Sequence, residues 1–421
     1  MKLVPLLLLL LLLLPLCTPF HASPQEPVSP RGGSYHHLLN QDSPLPMLSL
    51  VTDSHYSFGF QLGRTFQSRI KQFLADYPTL QKTLVPFVQT PQGRSAFDQF
   101  VSTAAAAYPD YLEELRGLSE GAQVPLSLVL LLNLRPELTG LINEQKKEVV
   151  TVQDEDASCT DVYLRTERLL MDAHNEDGSP YIRPSAYLVN VTLVEPAPSP
   201  SSSSSSYLAI GRKKEERFVV RERWIAYAYP GVLPGNAFAF NGNGVTITMN
   251  ALYPVNISRT GLGRAFVNRD VLRAKNLKDA LRRAIPEDSA TGFSINIGSI
   301  PEQRLMNVET SPQTFSLYEI NGNYSHENMY KRVNITQHND PSSRHRLKRL
   351  NEMPPPANMK DLLAALGDEE DKDYPIYRTA TPPDTAVTVA TGALDLKAKT
   401  MAVYIDNPKT SDPFLVLDMD I

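Results

Sequence analysis

The strongest constraint on the fold is a change of hydrophobic period near residue 146. Upstream, Phe58, Leu62, Phe66, Ile70 and Phe73-Leu74 recur at three- to four-residue spacing, which places them on one helical face. Residues 94–107 continue helical, Tyr108-Pro109-Asp110 breaks the run, and 111–118 starts the next helix. Gly121 and Pro125 mark off the apolar stretch 126–134. Residues 146–157 are charged and polar and read as an exposed linker. Beyond them the runs become strand-like. Residues 159–165 and 168–173 predict a hairpin around Thr166-Glu167. Residues 186–194, 217–228, 237–240 and 245–250 continue the series, with Asn241-Gly242-Asn243-Gly244 as a hairpin turn. Helices are expected at 268–274, 277–284, 341–350 and 359–366, and strands at 293–297, 305–309, 314–320, 329–335, 386–394, 401–405 and 414–417. A helical third ahead of a part rich in antiparallel hairpins predicts an α+β fold. The serine-rich residues 196–206 read as a low-complexity insertion between two strands.

The N-terminus reads as a secretory leader. Met1-Lys2 is basic, residues 6–14 are unbroken leucine, and Ala22 suits cleavage. A retained signal anchor is the alternative. The other apolar stretch, 124–134, is too short to span a bilayer. Residues 1–22 are thus expected to be a signal peptide and 23–46, rich in Pro, Ser and Gly, a flexible lead-in. A secreted, or secretory or lysosomal lumenal, location follows, with no membrane span left after signal removal. Of the chain's two cysteines, Cys17 leaves with the leader. Cys159 then has no intramolecular disulfide partner, and remains open to an intermolecular bridge, burial as an inert thiol, or reactivity. The balance of 41 basic against 46 acidic residues argues against nucleic acid as a partner.

Familiar catalytic signatures are missing. Gly292-Phe293-Ser294-Ile295-Asn296 lacks the last glycine of a nucleophile elbow, and Gly261-Leu262-Gly263 lacks the third glycine of a dinucleotide fingerprint. The eight histidines show no paired ligand spacing, so neither metal nor cofactor is expected. His36-His37, His338 and His345 read as surface residues, and the basic runs 212–214 and 344–349 as solvated faces. What remains is Ala157-Ser158-Cys159-Thr160-Asp161, followed by Asp172-Ala173-His174-Asn175-Glu176-Asp177. A hairpin folds the second cluster back onto the first and brings a thiol to a carboxylate.

These motifs resemble the acyl-coenzyme A:6-aminopenicillanic-acid acyltransferase family of N-terminal nucleophile (Ntn) hydrolases. Cys159-Thr160 matches its cysteine-threonine opening, and Asn175-Glu176-Asp177 its Asn-x-Asp cluster, 18 residues on from the cysteine. Residues 112–117, 132–137 and 240–245 match further motifs, and Val333-Asn334 stands where the family carries an asparagine. The resemblance covers roughly residues 50 to 420. It implies a four-layer αββα sandwich, with a helical fragment 47–158 and a catalytic fragment 159–421 that stay associated after self-cleavage at Ser158–Cys159. It implies Cys159 as nucleophile and its new α-amino group as base; such an amine titrates near ~7.8. It implies that Asp177 orients that amine, that Asn334 donates to the oxyanion, and that Asn175 supports the network. Two departures stand out: Ser158 replaces a glycine, and Asp161 a threonine.

The implied function is hydrolysis of a small N-acyl amide through an acyl-thioester, with β-alanyl amines or other aminoacyl conjugates as candidate substrates. Acyl transfer from the same intermediate, or a non-catalytic glycoprotein keeping the fold, are the alternatives. The sequons at Asn190, Asn256 and Asn323 are expected to carry glycans, whereas Asn334, as a buried donor, is expected to carry none. The mature protein is expected to run as two fragments on a denaturing gel, the larger opening at Cys159. A single intact and fully active band would contradict processing.

Overall fold

The computed structural model describes residues 36–39, 43–145, 158–197 and 218–421. The leader, the linker 146–157 and most of the serine-rich insertion lie outside the described residues. Fifteen strands in the described residues form two sheets. In chain order they are β1 (His36–Leu39), β2 (Met47–Thr52), β3 (Ser158–Arg165), β4 (Leu170–Gly178), β5 (Tyr187–Pro196), β6 (Phe218–Ala228), β7 (Ala239–Asn241) and β8 (Val245–Leu252). Then follow β9 (Gly292–Ser299), β10 (Arg304–Thr310), β11 (Phe315–Glu319), β12 (Tyr324–His326), β13 (Val387–Asp395), β14 (Thr400–Tyr404) and β15 (Leu415–Asp418). The nine-stranded sheet runs β1-β2-β5-β6-β7-β8-β9-β10-β11, and the six-stranded sheet runs β12-β3-β4-β13-β14-β15.

The sheets stack through β3 on β8 and β4 on β10. Helices Pro341–Glu352 and Met359–Leu366 cover the outer face of the smaller sheet, while Arg264–Val271, Leu277–Ala284 and His55–Thr65 cover the larger. The order helix–sheet–sheet–helix is the αββα sandwich expected from the resemblance. Central strands buried on both faces read as continuous buried runs, and β3, β4, β8 and β9 do so. One pair is parallel: β2 against β5, with Met47 opposite Leu188. The segment before the linker thus supplies two strands to the larger sheet as well as its helices.

Three expectations need correction. His36–Leu39, within the presumed lead-in, pairs antiparallel with β2. Residues 329–335 form no strand; the short strand is Tyr324–His326, paired with β3, and the chain beyond it is irregular. The strand expected to end at Ala173 runs on: β4 continues through the polar cluster to Gly178, because β3 and β13 pair with it on either side.

The helical layer depends on one close crossing. A Cβ on Gly117 would sit 2.2 Å from the Tyr56 carbonyl oxygen, and one on Gly59 would sit 1.9 Å from that of Glu114. Helices His55–Thr65 and Pro109–Ala122 therefore touch backbone to backbone. Gly117→Ala is expected to cost about 3 kcal/mol, since the added methyl meets backbone atoms of the crossing helix rather than a side chain that could turn away. Urea titration checks this, and an unchanged midpoint would mean that the crossing is looser than it looks.

Candidate active site

Cys159 is the second residue of β3, and strand alternation sorts its neighbours onto two faces. Cys159 pairs with Glu176 and Asp161 with His174 across the hairpin, so all four side chains point between the two sheets. Thr160, Asn175 and Asp177 point the other way, toward the helical layer.

On the inner face, the Cys159 Sγ lies 3.6 Å from the Glu176 Oε1. His174 bridges two carboxylates: its Nδ1 is 2.9 Å from the Asp161 Oδ1 and its Nε2 is 2.8 Å from the Glu176 Oε2. The Tyr229 hydroxyl also donates to the Glu176 Oε1. Asp161 accepts from the Thr248 hydroxyl at 2.6 Å and from the Asn250 amide. Asn296 donates to Thr248 and Asn250 at 3.0 and 3.1 Å, and Asn307 donates to Asn296 at 2.7 Å, forming a polar ladder across β8, β9 and β10. Burial opposes a charged imidazole, but Asp161 and Glu176 outweigh it and hold His174 well above its ordinary pKa. Burial, reinforced by the Glu176 carboxylate, pushes the Cys159 thiol up to about 12. With its peptide bond to Ser158 intact, this thiol stays protonated at neutral pH. Donor atoms of Cys159, His174 and Glu176 lie within 4.8 Å of one another, a spacing that a metal ion accepts. Both His174 nitrogens face carboxylates, however, and a protonated ring has no lone pair to offer.

The backbone of Cys159 is clamped from outside. Its N–H donates to the Asn328 Oδ1 at 2.7 Å, and its carbonyl accepts from the Arg346 Nη1 at 2.6 Å. Arg346 also donates to the Thr160 hydroxyl at 2.8 Å and to the Asn328 Oδ1 at 3.0 Å. It is held by Ser342 and Ser343, in the first turn of a helix whose N-cap is Asp340. Arg346 is fully buried, so the basic run 344–349 is not wholly a solvated face. Spacing explains it: Ser342, Ser343 and Arg346 share the buried side of that helix. His338, expected at the surface, is buried too.

The predicted residues divide. Ser158, Cys159, Asn175 and Asp177 are all fully buried on the β3–β4 hairpin. Asn175 is saturated by structural bonds, donating to the Leu366 and Ile376 carbonyls and accepting from Thr391 at 2.7 Å. The Asp177 Oδ1 accepts from Thr388 at 2.6 Å, whereas its Oδ2 is buried with no partner among the described residues. Burial lifts Asp177 to about 7 despite nearby Arg378 and Arg346. Asn334 is not in the cluster: it is exposed, because the chain beyond β12 leaves the sheet. Asn328, six residues earlier, is the asparagine that touches Cys159, and a buried asparagine in an irregular stretch leaves no periodic signal. Of the sequon residues, Asn256 and Asn323 are exposed, while Asn190 is half-buried on β5. A cleft of about 50 Å³ reaches the cluster through Tyr229.

The family model of acyl-coenzyme A:6-aminopenicillanic acid acyl-transferase matches residues 166–410, more than half the chain. The chain belongs to this family. The matched segment opens just after Cys159, so the place of the thiol rests on geometry. Beta-alanyl-dopamine/carcinine hydrolase of Drosophila melanogaster is 27% identical over 395 residues, covering 89% of this chain and 96% of the relative. Penicillin V acylase of Agrobacterium tumefaciens covers 62% of this chain and 86% of its own, at 14% identity and a TM-score of 0.32.

The raised Asp177 makes a signed prediction. A carboxyl whose folded pKa exceeds its unfolded value supports the fold fully below that unfolded value and loses the contribution as pH climbs through about 7. In an uncleaved Cys159→Ala background, Asp177→Asn is expected to gain up to about 4 kcal/mol over its parent between pH 4 and pH 8. Parallel denaturant titrations across that range check it; a pH-independent gap would show Asp177 to be ionised throughout.

Proposed function

We propose that this chain is a self-activating amidohydrolase that cleaves small N-acyl amides through an acyl-thioester on Cys159. The carrying observation is the fixed posture of Cys159. Its N–H and carbonyl are gripped by Asn328 and Arg346, and its thiol faces His174 and Glu176, directly after a charged linker. In the precursor, the thiol adds to the Ser158 carbonyl carbon and passes its proton to the departing nitrogen, giving a thioester and a free amine. Water then releases the thioester, leaving Ser158 with a carboxylate and Cys159 as an N-terminus.

The freed amine supplies what the buried thiol lacks. It titrates near ~7.8, so it serves as base close to neutrality without a histidine. When protonated, it lowers the thiol pKa by placing a cation beside it. The unpartnered Asp177 Oδ2 and the Asn328 Oδ1 are the acceptors proposed to orient it. Asn334, being exposed, is not proposed for the oxyanion role expected of it; Asn328 meets Cys159 through its acceptor Oδ1 while its Nδ2 donates to the Ala251 carbonyl, so Asn328 and Arg346 are both positioning residues. In turnover, the thiol attacks the substrate amide, the amine leaves with a proton, and water resolves the acyl-enzyme. The relative's name makes β-alanyl amides the first substrates to assay. Secretion through the leader follows from its sequence, and glycans are assigned to the exposed Asn256, Asn323 and Asn334.

Retention of both fragments after cleavage has support on either side of the linker. Arg269 lies between the Tyr111 and Trp224 rings, 4.8 Å from each, and bonds Glu114 and Glu222 at 3.1 and 3.0 Å. The parallel β2–β5 pairing adds a continuous seam.

N-terminal sequencing of the larger fragment is expected to begin at Cys159, and Cys159→Ala to abolish both processing and turnover. A Cys159→Ala chain that still splits and turns over would overturn the assignment. Asn328→Ala is expected to lower kcat at least about tenfold, because the Cys159 nitrogen loses its acceptor, whereas Asn334→Gln leaves it unchanged. The reverse pattern would show that Asn334, not Asn328, serves the site.

A further inference from the structure

Tyr229 is the first residue after β6, and its hydroxyl donates to the Glu176 Oε1, the oxygen that lies 3.6 Å from the Cys159 Sγ. A phenol stays on such a point only if the chain leaving the strand is fixed. The exit is a tight turn, Tyr229-Pro230-Gly231-Val232, closed by the Val232 N–H on the Tyr229 carbonyl at 3.2 Å. A type II turn needs φ > 0 at its third residue and favours proline at its second. Gly231, at φ +82°, and Pro230 supply both.

This turn is held by a residue from the other side of the linker. Asn133 ends the helix Leu126–Asn133 and is fully buried. Its Nδ2 donates to the Gly231 carbonyl at 2.8 Å, and its Oδ1 accepts from the Leu233 N–H at 2.9 Å. The side-chain amide thus bonds the backbone on both sides of Val232. The second Nδ2 hydrogen goes to the Val129 carbonyl of its own helix, also at 2.8 Å. An asparagine that only finished its helix would stop at that last bond. This one turns its other donor and its carbonyl to residues 98 and 100 positions on. A Cβ on Gly231 would come 3.3 Å from the Leu132 Cδ2, so helix and turn also touch. A further hold, the Tyr187 hydroxyl on the Tyr229 carbonyl, is longer at 3.3 Å.

We propose that Asn133 is a positioning residue: it fixes the turn that sets Tyr229 on Glu176, so the segment before the linker keeps a part in the site after cleavage. This rests on the amidohydrolase reading for its consequence in turnover, but not for its effect on the thiol. A donor on the Glu176 Oε1 favours the ionised carboxylate and competes with the thiol for the same oxygen, so its loss changes what the sulfur meets. Without Asn133, the Gly231 carbonyl and the Leu233 N–H lose their partner, and the turn has to move to satisfy them.

A double-mutant cycle read at the thiol tests this. Iodoacetamide alkylation of Cys159, followed by mass, is compared in the wild type, Asn133→Ala, Tyr229→Phe and the double variant. Each single replacement is expected to change the rate in the same direction by at least about fivefold, the size of one net hydrogen bond, and the double variant to match Tyr229→Phe within about twofold. A residue that served only the fold would lower the urea midpoint and act independently. A folded Asn133→Ala that alkylates like the wild type therefore overturns the proposal, and so do effects that multiply in the double variant. If Asn133→Ala does not fold, Asn133→Asp takes its place with the same expectations, since it keeps the acceptor for Leu233 and loses the donor to Gly231. A second arm measures kcat on a β-alanyl amide, where Asn133→Ala is expected to lower kcat at least about fivefold and to add nothing to Tyr229→Phe. No turnover by the wild type, with the thiol cycle coupled, faults the amidohydrolase reading and leaves Asn133 in its role. Turnover by the wild type, with the thiol cycle uncoupled, overturns the role of Asn133 alone.

Discussion

The structure depends on burying the polar half of β4. Asp172, His174, Asn175, Glu176 and Asp177 lie in one strand at the centre of a stacked pair of sheets, each at most 1% exposed. Such a strand survives only if each face meets its own complement. The inner face is answered by one imidazolium between the Asp161 and Glu176 carboxylates, backed by Thr248, Asn250 and the asparagine ladder of the facing sheet. The outer face is answered by Thr388, Thr391, Arg378 and Arg346. Remove the histidine charge and two carboxylates face each other in a medium with little screening, a far larger penalty than a lost surface pair. The surroundings of Cys159, the proposed nucleophile, are therefore also the structural heart of the sandwich.

The same logic shapes the seam between the helical segment and the sheets. Glu114, on a helix before the linker, and Glu222, on β6, share the Arg269 guanidinium, with His55 2.9 Å from Glu114. Arg269 holds Glu222 well below the ordinary carboxylate range despite its burial. A buried ion network adds less net stability than its bond count suggests, but it strongly disfavours alternative packings that leave one member unpaired. It therefore pins the helices in register on the sheet, while the glycine crossing sets their separation. A cut in the linker leaves this seam intact, because none of its partners lies in the linker.

Much of the fold was legible because it follows periodicity. The helical third, the hairpin of β3 and β4, and the turn at Asn241-Gly242-Asn243-Gly244 all appear where local pattern places them. The Cys159–carboxylate pairing was legible too, since a turn at Thr166-Glu167 sets the register of the two strands. What stayed hidden depends on tertiary contact. His174 and Glu176 lie beyond the strand end expected at Ala173 until β13 pairs beside them and extends the strand. Arg346 sits in a run of positive charge that local reasoning assigns to solvent, and its burial requires the carbonyl of Cys159 far away in sequence. Asn328 and Asn334 are both asparagines in an irregular stretch, and nothing in their spacing says which one turns inward.

The proposed activation by cleavage has an electrostatic basis in the same contacts. In the intact chain, burial and Glu176 hold the thiol near 12, and the Cys159 nitrogen is an amide with one proton to give, committed to Asn328. An N-terminal amine in the same place has up to three protons. One satisfies Asn328 as before, and the buried Asp177 Oδ2 stands ready to take another. The thiol and Asp177, whose ionisation burial opposes, are thus both groups that a new cation at this nitrogen would favour in their charged forms. Cleavage need not move a side chain to activate such a site; changing one amide into an ammonium reverses the electrostatic balance already built around it.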